Sequence, residues 1–207
     1  MKEDFSMDFS LIVALAALVV AVIAVVKKPG GILTGHEIDR QVRRGKIEIS
    51  DYDPSRLNPN SYNVSVGDTA MIYSDVTRFD LDDPDTYSTT ETIKIGKDGI
   101  TLRPGIVYLV PIKERIGSDF YEFIITGRSS FGRLGNSVHE EAGFGDIGYH
   151  GNLTMQIKVT YPTKIKPGQV IAQIYFLTPC GKITQLYHGK YQDSTGPISC
   201  RAFSTKP

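Results

Sequence analysis

Between residues 127 and 135 the chain reads Gly-Arg-Ser-Ser-Phe-Gly-Arg-Leu-Gly, an order of residue types that suits a polyanion. A turn carrying Ser129 and Ser130 offers backbone N–H groups and hydroxyls to phosphate oxygens. Arg128 and Arg133 add charge-assisted hydrogen bonds. The competing reading is a polar surface turn with two solvated arginines, and the stretch alone does not decide between them. Nearby His139 has no Ser/Asp partner pattern around it, so a structural hydrogen bond is expected of it rather than catalysis. Zinc chemistry is not expected. Cys180 and Cys200 have no metal-ligand spacing, and no H-x-E with P-C-x-x-C set is present. Two cysteines are also too few for a disulfide framework, which favours a reduced compartment.

The elements that must position these residues are mostly short strands. A chain of 207 residues allows one domain of ordinary size and a short extra segment. Its 23 basic and 23 acidic residues cancel, so no nucleic-acid partner is expected. Thr34-Gly35-His36-Glu37 is a capping-box pattern with Leu33 and Ile38 as a hydrophobic staple, and predicts a helix over about 34–44 that stops at Gly45. Beyond it the helical period disappears. Thr69–Ile72, Ile106–Pro111 and Phe120–Ile125 are read as strands between Gly, Pro and Asp turns, and Asp82–Thr90 as a mobile loop. In Asn152–Val159, Leu153, Met155, Ile157 and Val159 alternate with Asn152, Thr154, Gln156 and Lys158. That pattern predicts a strand with one buried face. Val170–Leu177 is a further apolar strand, and the whole predicts a mainly β barrel or jelly-roll-like sandwich.

The N-terminus is different. Residues 9–26 read FSLIVALAALVVAVIAVV, with Ser10 the only polar residue. About 18 apolar residues span roughly 27 Å as a helix, so a transmembrane helix over 9–28 is expected after a leader, 1–8. Lys27, Lys28, Arg40, Arg43, Arg44 and Lys46 follow it, against Lys2 alone before it. The positive-inside rule then makes this a single-pass membrane protein with its C-terminal domain cytoplasmic. Pro29-Gly30-Gly31 opens a neck, 29–33, and the domain proper is expected over 34–207.

Six ordered segments together resemble the dCTP deaminase/dUTPase family. Gly127–Gly135 is followed by Ala142-Gly143-Phe144-Gly145-Asp146-Ile147-Gly148-Tyr149-His150-Gly151, similar to the family's GRSS-x-GRLG and AGxxDxGxxG segments. Gly31–Thr34 resembles the domain start and Leu57–Gly67 the P-x-S-x-D segment. Lys166-Pro167-Gly168 with Ala172-Gln173 resembles the PGxxIGQ strand, and Lys190-Tyr191-Gln192 through Pro197 the substrate-closing tail. The likeness covers about residues 31–201. It implies a distorted jelly roll of the dUTPase type, assembled as a homotrimer with active sites between subunits. The implied substrate is a deoxynucleoside triphosphate carrying Mg²⁺, with no zinc and no protein metal site. Arg128, Ser129, Ser130, Arg133, Ala142, Lys190, Tyr191 and Gln192 are the substrate-binding residues it implies.

The departures from the pattern fall on the catalytic positions. The family's deaminases use a Glu ten positions beyond the turn's Asp as proton shuttle. Counting from Asp146, that position is Gln156. A carboxamide has no proton to trade near neutral pH, and losing a general acid–base group costs about 10²–10⁴-fold, so dCTP deamination is not expected. A substitution introduced to trap substrate would read the same way. Asn63 and Ser194 replace the family's usual Asp and Gln. Asp146 is retained, and in the dUTPase branch the matching Asp orients the water that attacks the α-phosphorus. A carboxylate there also suits the cap of a turn. Two functions are therefore weighed. One is dUTPase-like binding and hydrolysis of a deoxynucleoside triphosphate. The other is a non-catalytic, membrane-anchored trimeric subunit of a larger complex.

Overall fold

The computed structural model describes residues 9–26 and 30–201. The chain divides into two units, residues 1–30 and 31–207. The first contains α1 (Phe9–Val26), an 18-residue helix rich in Ala, Val, Leu and Ile. At about 1.5 Å per residue it rises about 27 Å, short of the ~20 residues and ~30 Å that a bilayer core demands. Among the described residues no helix is long and apolar enough to cross a membrane. The expected transmembrane helix is corrected on that ground, and with it the single-pass membrane location and the cytoplasmic orientation inferred from it. Lys2, Lys27 and Lys28, which carried the orientation argument, lie outside the described residues, as do the leader 1–8 and Pro29 of the neck.

In the second unit, α2 (Gly35–Arg43) starts where the capping residues place it. The Thr34 side chain accepts a hydrogen bond from the Glu37 N–H at 3.3 Å. Leu33 and Ile38 are both buried, as a staple requires. The Glu37 carboxylate is engaged along the helix, by Arg40 and, at 2.6 Å, by the Gln41 amide.

The rest is antiparallel β structure. In chain order the strands are β1 (Glu48–Ile49), β2 (Tyr62–Ser65), β3 (Thr69–Tyr73), β4 (Thr90–Lys94), β5 (Ile100–Leu102), β6 (Tyr108–Pro111) and β7 (Ile116–Gly117). They continue with β8 (Glu122–Gly127), β9 (Phe144–Gly145), β10 (His150–Gly151), β11 (Thr154–Ile157), β12 (Thr163–Ile165) and β13 (Val170–Leu177). A one-turn helix, α3 (Ser129–Gly132), follows β8. Two four-stranded sheets, ordered β11-β6-β3-β4 and β2-β13-β8-β9, carry most of the domain, and smaller sheets β1-β7-β10 and β12-β5 complete it. Inward side chains of both large sheets, among them Val64, Val110, Phe123, Met155, Ile157 and Phe176, share one buried cluster. Their removal from water is the main force holding the sheets together.

The sequence pattern places these strands with local shifts. On β11, Met155 and Ile157 are buried and Thr154 and Gln156 half-buried, the predicted alternation, although Leu153 is only half-buried. The strand predicted from Phe120 begins at Glu122 instead. The Ser118 hydroxyl accepts from the N–H groups of Phe120 and Tyr121, both at 3.0 Å, and holds a turn where pairing would have started. The segment read as a mobile loop over 82–90 contains a 3-10 turn, Pro84–Tyr87, whose Tyr87 ring is buried.

Candidate active-site cleft

β11 and the segment 139–149 form two walls of a cleft of about 460 Å³, and residues 187–200 form a third. Gln156 lies on the polar face of β11, opposite Leu109 of β6 in register. Buried Met155 and Ile157 on either side fix its backbone. Its carboxamide faces the cleft, and among the described residues nothing hydrogen-bonds it. Asp146 is exposed in the turn between β9 and β10, and its carbonyl accepts from the Tyr149 N–H at 3.1 Å. Asp146, Gln156, Ala142 and Tyr191, four of the residues singled out from sequence, therefore line one cavity.

The third wall is the C-terminal tail folded back on the barrel. Gln192 clamps it, accepting from the His150 N–H at 3.1 Å and donating to the Gly148 carbonyl at 2.8 Å. The buried Ser194 hydroxyl meets Tyr149 Oη at 2.6 Å and donates to the Asn152 carbonyl at 3.0 Å. Two glycines make this approach possible. Gly148 has φ +94° and a Cβ there would lie 2.6 Å from Leu186 Cβ, while one at Gly151 would lie 2.6 Å from Ser194 Oγ. Lys190 donates to the Arg201 carbonyl at 3.0 Å, and Tyr191 Oη accepts from the Arg201 N–H at 3.0 Å. Of the tail residues expected to bind substrate, Tyr191 faces the cleft, whereas Lys190 and Gln192 are occupied in fastening the tail.

The Gly127–Gly135 segment lies elsewhere. It leaves β8 at Gly127, and the Arg128 N–H donates to the Ile171 carbonyl at 3.0 Å. Buried Phe131 roots the turn, Arg128 is half-buried, and Ser129, Ser130 and Arg133 are exposed. None of these four polar residues lines the cleft of the same chain. Behind the turn, Asn63 accepts from the Asn58 amide at 3.0 Å, and the Ser61 hydroxyl donates to Gln173 Oε1 at 2.9 Å. Asn63, one of the departures noted above, is thus held by Asn58 and pairs with Gln173 of β13. Among the described residues, no group of three or more His, Cys, Asp or Glu is placed to hold a metal ion. A more open groove of about 520 Å³ near Gly67, Lys113 and Pro167 contains none of the motif residues.

Several cleft residues carried no signal in the sequence. Tyr73, Phe144, Tyr149 and Tyr187 join Tyr191 to give the cavity aromatic walls. Burial, the largest influence on Tyr149, pushes its phenol above the ordinary value. The i, i+4 spacing of Tyr187 and Tyr191 was the one available hint. His139 also lines the cleft, and burial holds its imidazole below the ordinary value, so it is neutral near pH 7. Its Nδ1 is buried without a hydrogen-bond partner among the described residues, while a hydrogen bond between the ring and the Ala142 backbone gives it the structural role expected from sequence. On the far side of the tail, His150 Nδ1 meets Glu48 at 2.6 Å and Nε2 meets Asp119 at 3.2 Å. Burial lowers the His150 pKa, but the two carboxylates outweigh it and hold the imidazole above its ordinary value.

Fold and site together define an antiparallel β domain with a tail-covered cavity suited to a small aromatic ligand. The dCTP deaminase-like family profile matches residues 32–178, well over half of the chain. The chain is 39% identical over 165 residues to a dCTP deaminase, dUMP-forming, of Leptospira biflexa, covering 80% of this chain and 92% of that one. It is 40% identical to the protein of the same description from Cytophaga hutchinsonii, with the same coverage. The crystal structure of 2′-deoxycytidine 5′-triphosphate deaminase from Agrobacterium tumefaciens shares the fold, with a TM-score of 0.58 at 23% identity, over 73% of this chain and 49% of that one. The chain belongs to the dCTP deaminase-like family.

Proposed function

We propose that this chain binds a pyrimidine deoxynucleoside triphosphate in the tail-covered cleft and hydrolyses it to the monophosphate and pyrophosphate, without efficient deamination. The observation that carries the reading is the pairing of Asp146 with Gln156 across one cavity. Replacing the amino group at C4 needs a proton delivered to the ring and one removed from the attacking water, and the amide of Gln156 does neither. Hydrolysis asks less. Asp146 orients a water whose oxygen bonds to the α-phosphorus as the bridging P–O bond breaks, and pyrophosphate leaves with the electron pair. The relatives' description as dUMP-forming is consistent with a monophosphate product.

The exposed turn at 128–133 completes the site from a neighbouring copy in a homotrimer. In that arrangement Arg128 and Arg133 bear on the triphosphate, and Ser129 and Ser130 donate to its oxygens. Mg²⁺ arrives with the substrate and offsets phosphate charge. Among the described residues Asp146 is the one carboxylate lining the cleft, so a metal there would be held mainly by the substrate's phosphate oxygens and water. The alternative of a membrane-anchored assembly subunit rested on the transmembrane helix and falls with it. The test is Asp146→Asn assayed on dUTP. Pyrophosphate release should drop about 10²–10⁴-fold with binding nearly unchanged. An unchanged rate would remove Asp146 from the chemistry.

A further inference from the structure

The polar groups around the cleft are unequally available. The Asn152 amide is spent on three carbonyls, those of Ile112, Lys113 and Glu114, at 3.1–3.2 Å. Tyr149 Oη is committed to Ser194, Thr154 Oγ accepts from the Ile198 N–H, and Tyr73 Oη accepts from the Cys200 N–H. Asp146 is an acceptor only, and His139 is neutral with one buried, unpartnered nitrogen. Among the described residues, that leaves two cleft side chains with both a donor and an acceptor uncommitted, the single hydroxyl of Ser199 and the carboxamide of Gln156, and only the carboxamide presents its donor and acceptor side by side on two atoms. Its anchorage between Met155 and Ile157 fixes the Cα, while the carboxamide itself has no partner to fix which way it faces.

We infer that Gln156 is the residue that reads the base edge, and that it lets the cleft hold an imide pyrimidine, uracil or thymine, which an ionised carboxylate at the same position would repel. This rests on the nucleotide reading above and adds the identity of the base. The imide edge presents an N3–H donor beside a carbonyl acceptor at C4. A carboxamide matches both, accepting from N3–H and donating to O4. An ionised carboxylate accepts from N3–H, but its second oxygen then faces O4 with no proton between them. The cytosine edge, an N3 acceptor beside an amino donor, is matched by the same carboxamide turned over. It is also matched by a carboxylate once N3 takes up a proton, an option the imide lacks because its N3 already carries one. The aromatic walls are indifferent to this choice, since every pyrimidine has a π-face to offer Tyr73, Tyr191 or Phe144.

The experiment is titration calorimetry with α,β-imido-dUTP and α,β-imido-dCTP, which resist hydrolysis, on the full chain at pH 7.5. The native protein is expected to bind the uracil analogue at least as tightly as the cytosine analogue. Gln156→Glu should weaken the uracil analogue relative to the cytosine analogue by about ten-fold or more, the usual scale for leaving a buried polar contact mismatched. Gln156→Met, which keeps the shape and removes both hydrogen bonds, should weaken both analogues similarly. A preference unchanged in Gln156→Glu, or native affinity for both in Gln156→Met, would overturn the assignment while leaving nucleotide binding intact. Failure of the native chain to bind either analogue would overturn the nucleotide reading itself.

Discussion

His150 is held between two carboxylates of different elements, Glu48 on β1 and Asp119 just after β7. Arg115 ties Glu48 to Asp193 of the tail, at 2.9 and 2.6 Å. The protonated imidazole is therefore part of the fastening between tail and barrel. Its pKa is raised on folding, so this contribution is present in full below the ordinary value of 6.5 and is lost as pH rises through the raised one. The melting temperature should fall as pH rises above about 6.5 and through the raised value, and His150→Gln should flatten that slope. A native profile identical to that of the variant would exclude His150 as the source. Gly148 makes a second residue-scale case. Alanine there meets both a left-handed backbone and the Leu186 side chain. Gly148→Ala should cost about 1–3 kcal/mol in denaturant unfolding and expose the tail to proteolysis.

The tail is the element on which the cleft depends, and in the sequence only its resemblance to a substrate-closing tail marked it, not its local pattern. Its contacts join residues more than forty positions apart, such as Gln192 with His150 and Ser194 with Tyr149. Nothing in the local pattern of 187–200 announces them. α2 and β11 were legible for the opposite reason. Thr34 and Glu37 act within one turn, and the alternation of Thr154 to Ile157 records which face meets the core. The Ser118 turn shows the limit of such reading, since one hydroxyl displaced the start of β8 by two residues. Gln156 and Asp146 were found because the family resemblance carries a fixed ten-residue spacing, held here within one turn and the strands that follow it. The aromatic walls were not, since Tyr73, Tyr149 and Tyr187 come from three separate segments. If the tail is the lid this geometry describes, deleting residues 187–207 should leave the barrel folded by circular dichroism while weakening nucleotide binding at least ten-fold. Undiminished binding would show that the tail only covers the cleft and does not shape it.

For the whole molecule, the separation of the 128–133 turn from the cleft of its own chain is the decisive fact. A monomer would hold a base beside Gln156 with its triphosphate unattended by Arg128 and Arg133, so the proposed activity requires assembly. Light scattering of the native chain should return a trimer at micromolar concentration. Mixing Asp146→Asn with Arg133→Ala chains, each inactive alone, should restore part of the activity through mixed sites. At the other end of the chain, the apolar run 9–26 read as a membrane span by composition. As a helix its 18 residues are fewer than the ~20 typical of a span, and among the described residues no helix is long and apolar enough to cross a membrane. The central claim is hydrolysis without deamination, and it is tested most directly by one assay that follows pyrophosphate and ammonia together. The native chain with dUTP should release pyrophosphate, and with dCTP it should release no ammonia. Ammonia released from dCTP at a turnover comparable to pyrophosphate release would contradict the account, because Gln156 has no means of moving the proton that reaction requires.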